Sequence, residues 1–224
     1  TYLETVAPSA FRFVSSPVVP RSSSRSRLGT DQRQREIVAT VLALARERGP
    51  DAITTQAIAD RMGVTQGAIF RHFPDKQAIW LAVFGWIREA LAAALAAAID
   101  ETASPLVRIE QMFLAHAAFV AGNPGVPRVL FHELQYPGDS PLRVEVRAMI
   151  EAYRRRLAGL FAQARAVGEL PPDLDAALAP VTFIGAVQGL VIEASLGGDE
   201  AEMVERARRV FPLLVDGYRG VGRT

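Results

Sequence analysis

The chain contains no cysteine, and only one of its 25 basic residues is a lysine. Without thiols there is no disulfide framework, no thiolate metal site and no thiol nucleophile. Histidine is scarce as well, with three in 224 residues. There is no Gly-x-Ser-x-Gly elbow and no glycine-rich phosphate loop, so the usual machinery of hydrolases and nucleotide-dependent enzymes is missing. His116 and His132, with Glu133 nearby, lack the His-Glu-x-x-His spacing of a zinc helix, so neither a metal nor a cofactor is expected. The most apolar central stretch, residues 91–99, is mostly alanine and far shorter than the ~20 residues that span a bilayer. The first 27 residues hold Pro8, Pro17 and Pro20 and no continuous apolar core, which predicts no secretory signal. These absences point to a cytoplasmic, non-enzymatic protein without a membrane partner.

What is present is concentrated in residues 54–76. Thr54 follows apolar Ile53 and suits a helix N-cap, where its hydroxyl can accept an orphan backbone N–H. Ala57, Ile58 and Met62 form the inner stripe of a short helix, and Gly63 stands where a left-handed residue ends it. Val64 plugs the turn, and Thr65 can cap a second short helix running through His72, with Ile69 and Phe73 facing inward. Gln66, Gly67, Ala68, Phe70, Arg71 and His72 are left outside or at the tip. Such a helix is about 10 Å long and fits a major groove roughly 12 Å wide. Gln66 could bond adenine in bidentate fashion, the Ala68 methyl could touch a thymine methyl, and small Gly67 lets the backbone come close. Arg71, His72 and Lys76 suit phosphates. Spacing alone also fits a helical hairpin in an ordinary bundle.

The segment resembles the DNA-binding signature of the tetracycline-repressor (TetR/AcrR) family of bacterial transcription regulators. The resemblance is carried by Thr54, Ile58, Ala59, Gly63, Val64, Thr65, Gly67, Ile69, Phe70, His72, Phe73 and Lys76, and covers residues 33–81. It implies a homodimer, one three-helix DNA-binding domain per subunit and a larger helical ligand-binding domain. It also implies that Thr55, Thr65, Gln66, Ala68, Phe70, His72 and Lys76 lie at or near double-stranded operator DNA. Phe70 departs from the family's usual tyrosine, keeping the ring and losing the phenolic donor.

The resulting expectation is an all-α chain of about nine helices. A Ser/Arg-rich arm occupies residues 1–30, a helix-turn-helix domain 31–76, and a ligand-binding and dimerisation domain 77–224. Residues 1–76 carry 11 basic against 7 acidic groups and residues 77–224 carry 14 against 17, which turns the positive end toward DNA. In the arm, Arg21, Arg25 and Arg27 could reach a minor groove, or the segment could be a solvated leader. Periodicity and breakers predict helices over 31–48, 75–100, 105–121, 127–134, 141–167, 173–196 and 199–219, besides the two of the hairpin. The first of these buries Ile37, Val38, Val41, Leu42 and Ala45. The 75–100 helix joins both domains and is the natural lever between them. The last two helices carry more apolar surface than one face needs, with Gly185 and Gly189 as a small-residue groove, and read as the homodimer surface.

An effector pocket draws on Trp80, Phe84, Met112, Phe113, His116, Phe119, Phe131, His132 and Tyr153, any of which could equally fill a core. The expected function is a ligand-responsive transcription regulator, a repressor released from a palindromic operator by a small, mainly hydrophobic effector. The alternative is a helical interaction adaptor without sequence-specific DNA binding.

Overall fold

The computed structural model describes residues 29–135, 138–197 and 202–220. All but two residues of the 1–30 arm, including the three arginines, lie outside them. Among the described residues there are nine α-helices, one short 3-10 turn and no strand.

The N-terminal domain is built from α1 (Thr30–Glu47), the 3-10 turn Pro50–Ala52, α2 (Thr55–Met62) and α3 (Gln66–Phe70). Local chemistry sets its boundaries. The Thr54 hydroxyl accepts from Ala57 N at 3.0 Å and that of Thr65 from Ala68 N at 3.3 Å. Gly63 takes the left-handed conformation at φ 66°, which an L side chain would resist. Ile37, Val41 and Ala45 of α1 close the core with Ile53, Ile58, Ala59, Ile69, Phe73 and Ile79.

The second domain contains α4 (Lys76–Ala98), α5 (Pro105–Gly122), α6 (Gly125–Gln135), α7 (Pro141–Ala166), α8 (Ala179–Gly197) and α9 (Met203–Gly220). Asp75, Ser104 and Ser140 cap α4, α5 and α7. The centre of the bundle is aromatic: Phe113 packs edge-on against Phe183 at 5.1 Å and against Phe211 at 5.5 Å. Tyr218 of α9 packs on Phe161, and its hydroxyl donates to the Ala179 carbonyl at 3.2 Å, fastening α9 to the start of α8.

Four expectations change. The recognition helix ends at Phe70 rather than His72, because Phe73 must turn inward and precedes Pro74, which disfavours helix at the residue before it. Helix α8 begins at Ala179 rather than 173. The Asp175 carboxylate accepts from Ala177 N and Leu178 N, and this local turn competes with the helix. Helix α6 begins two residues early, at Gly125, since Pro127 sits in its first turn, where the missing N–H costs nothing. Finally, α4 and α8 are long and apolar enough to cross a membrane by length and composition. Alanine accounts for much of this in α4, which also carries Arg88, paired with Glu145 of α7 at 2.8 Å.

Candidate DNA interface and effector cavity

Helix α3 is anchored by Ile69, 1% exposed, and shows Gln66, Gly67, Phe70 and Arg71 to solvent, with Ala68 half-buried. Phe70 is 44% exposed, an unusual position for a phenyl ring with no described partner chain over it. Gln66 Nε2 donates to Thr55 Oγ1 at 2.6 Å, so the structure brings together two of the residues read as DNA-facing, one from each helix of the motif. Thr65 spends a lone pair on its cap, and its hydroxyl proton can still be donated outward. Lys76 opens α4 in the exposed first turn. His72 is less open than its place at the tip suggested. It is half-buried, and its Nδ1 is enclosed without a partner among the described residues. Gln34 of α1, which sequence reading passed over, donates to the His72 carbonyl at 2.9 Å and pins the tip to the domain.

Residues 37–83 match the sequence model of the bacterial regulatory proteins of the tetR family, and residues 137–211 match that of the tetracyclin repressor-like C-terminal domain. The chain belongs to the TetR family. Among curated relatives, the nucleoid occlusion factor SlmA of a Marinomonas species is 26% identical over 159 residues, 70% of this chain and 81% of the relative. The ketosteroid transcriptional regulator KstR2 of Mycobacterium tuberculosis superposes with a TM-score of 0.72 at 22% identity, covering 84% of this chain and 95% of that one. The transcriptional regulator FadR of Bacillus subtilis, solved in complex with stearoyl-CoA, gives 0.67 at 22% identity, covering 82% and 98%. These structural likenesses establish a shared TetR fold. The chain is thus a ligand-responsive DNA-binding regulator by family.

In this TetR-family bundle an apolar cavity of about 100 Å³ lies between α4, α5, α6, α7 and α8. Of the residues singled out from sequence, His116, Phe119, Phe131 and Tyr153 line it. Met112 and Phe113 do not: both are fully buried, and Phe113 is locked among Phe183 and Phe211. Phe113 faces α8 and α9, and the bulk of both side chains fills the core. Trp80, Phe84 and His132 line a separate cavity of about 200 Å³ between the domains, together with Asp51, Lys76 and Glu133. His116 and His132 therefore belong to different cavities.

Four wall residues came from α8, which sequence reading gave to the dimer surface: Ile184, Val187, Gln188 and Val191. Gln188 had a visible signal, being the lone amide in an otherwise apolar helix face. His116 Nδ1 and the Tyr153 hydroxyl are hydrogen-bonded at 3.1 Å, with their rings edge to face. Burial holds the imidazole neutral, its pKa pushed down to about 4. Burial also pushes the Tyr153 phenol up, with the Arg156 charge opposing.

The cavity reaches the DNA-binding domain along two routes. Ile87 and Leu91 place α4 in its wall, and α4 starts directly after the recognition helix. Val126, Pro127, Leu130 and Phe131 place α6 there too. Helix α6 touches α1 through Gly125, reaches the Arg46 carbonyl through Arg128, and brings His132 Nε2 to 3.2 Å from Asp51. The sequence suggested only the α4 lever.

Proposed function

We propose that the chain is a cytoplasmic homodimeric repressor that holds a palindromic operator until a small apolar effector fills the bundle cavity. Gln66 and Ala68 are its base readers, Thr55, Thr65, Arg71, His72 and Lys76 its phosphate contacts, and Phe70 an apolar contact to sugar or thymine methyl. The observation that carries the DNA reading is the α3 surface. A helix of five residues exposes an amide and a phenyl ring, with an arginine at its C-cap, while its one buried side chain ties it to the domain. An adaptor would need no such polar tip.

The dimer reading rests on α8 and α9. Leu178, Val181, Ile192 and Leu196 fall on one stripe of α8 and its approach and are 49–85% exposed, and Leu213 of α9 is 70% exposed. A Cβ built on Gly185 or Gly189, in the same stripe, would meet nothing within 4 Å, so these glycines serve no close packing within the subunit. A second copy of this surface, related by a two-fold axis, would cover the stripe.

Effector binding shifts the equilibrium only through unequal affinity for two arrangements of the dimer. Because α4 and α6 both wall the cavity and both adjoin the DNA-binding domain, a ligand that parts them changes the separation of the two recognition helices. Fluorescence anisotropy on DNA flanking the chain's own gene tests the reading. Salt-dependent binding that discriminates a palindrome from scrambled DNA is expected; equal, weak affinity for both favours the adaptor.

A further inference from the structure

The polar atoms in the apolar cavity can be accounted for one by one. The Tyr153 hydroxyl bonds His116 Nδ1 and has no other hydrogen-bond partner among the described residues. Two proton arrangements are conceivable. If Nδ1–H donated to the phenol oxygen, the phenol proton would lack an acceptor, and the lone pair on Nε2 would also go unmet. If the phenol donates to Nδ1, the phenol proton and the Nδ1 lone pair are both met, and only Nε2–H remains unpaired. Each unmade hydrogen bond on a buried group costs about 1–3 kcal/mol, so the second arrangement prevails. His116 lines the cavity, and its Nε2 has no partner among the described residues. Gln188 lines the same space, and its carboxamide bonds no described residue.

We infer that the cavity selects a small neutral molecule bearing a hydrogen-bond acceptor oxygen, such as a ketone or ester carbonyl, held by His116 Nε2–H beside Gln188. Tyr153 is a positioning residue that fixes the donor tautomer of His116. The inference rests on the effector reading above and narrows it. Among the described residues no arginine or lysine lines the cavity, so a carboxylate would enter without a counter-charge from them, and the buried imidazole resists protonation. The volume, about 100 Å³, sets the size. An engineered apolar cavity of about 150 Å³ holds a benzene, so an occupant of one ring with a small substituent enters by parting the helices.

Three probes of near-equal shape separate the possibilities: acetophenone with an acceptor oxygen, isopropylbenzene without one, and benzoate with a charge; phenol is added as a hydrogen-bond donor. Their affinities for the full chain are measured by calorimetry without DNA, for the wild type, His116→Phe and Tyr153→Phe. In the wild type, acetophenone binds and benzoate does not. His116→Phe lowers acetophenone affinity about five- to tenfold and leaves isopropylbenzene unchanged or tighter. Tyr153→Phe, which keeps the ring, frees the tautomer, so phenol gains on acetophenone by a few-fold; a purely structural Tyr153 would move both alike. The inference is overturned if benzoate binds as well as acetophenone, or if both variants leave the acetophenone-to-isopropylbenzene ratio unchanged. If neither neutral probe binds the wild type, the effector reading of this cavity fails, and the inference with it.

Discussion

Gly125, the first residue of α6, lies so close to α1 that a Cβ built on it would sit 2.3 Å from the Leu42 carbonyl oxygen. That atom is main chain and cannot swing aside. Gly125→Ala must therefore lift α6 from α1. We expect a loss of about 1–3 kcal/mol in stability, the usual cost of overpacking. Operator affinity should also fall in the ligand-free protein, since α6 would take up the spacing that an effector imposes. Urea unfolding and anisotropy at a concentration where the variant is folded check both. Unchanged operator affinity in a folded variant would remove α6 from the coupling.

Gln66 and Arg71 should fail in different ways. Gln66→Ala removes a base contact and is expected to cost about 1–3 kcal/mol on the operator and to relax the preference at one base position. Arg71→Ala removes a phosphate contact, weakening binding to all sequences alike and lowering the salt slope by about one. Affinities on operator and scrambled DNA across a salt series distinguish them. The two variants behaving identically would mean that α3 is not seated as proposed. The Gln66–Thr55 hydrogen bond adds that Thr55→Val should mimic a weakened Gln66.

Ile192 and Leu213 are exposed apolar side chains on the proposed dimer face. Ile192→Arg or Leu213→Arg places like charges across a two-fold axis, and each variant should sediment as a monomer at micromolar concentration while keeping its helical content. A wild-type chain that is itself monomeric would discard this interface. Half-site binding by the monomeric variant should be far weaker than palindrome binding by the dimer.

His116 makes stability depend on pH with a definite sign. Its folded pKa is about 4 against 6.5 when unfolded. Between these values the unfolded chain takes up a proton that the folded chain refuses. The cost is absent above about pH 6.5 and grows as pH falls toward 4, reaching roughly 2 kcal/mol at pH 5. Urea unfolding of wild type and His116→Phe at pH 7.5 and pH 5 should show the wild type losing about that much relative to the variant. Parallel pH profiles would show that the imidazole is not held neutral.

The DNA-binding motif was legible because its signals are local. Thr54, Gly63 and Thr65 stand at spacings where caps and a left-handed turn act within a few residues, whatever surrounds them. The cavity was not legible in the same way. Phe113 and Phe119 lie on one helix with the same apolar character; one fills the core and the other lines the cavity. The rotation of α5 against α7 and α9 decides which, and no local spacing encodes it. The α6–α1 contact was hidden for a related reason. Gly125 looked like part of a loop, and only the approach of a distant helix gives its missing side chain a purpose.

The central claim is that the α3 surface reads a palindrome as a dimer. The direct measurement is selection of bound fragments from a sheared genomic DNA library by the purified wild-type chain, followed by sequencing, with Gln66→Ala in parallel. Enrichment of one palindromic motif, lost or relaxed at one symmetric position with Gln66→Ala, is the predicted result. A fragment pool with no enriched motif, or a motif unaffected by Gln66→Ala, would contradict it.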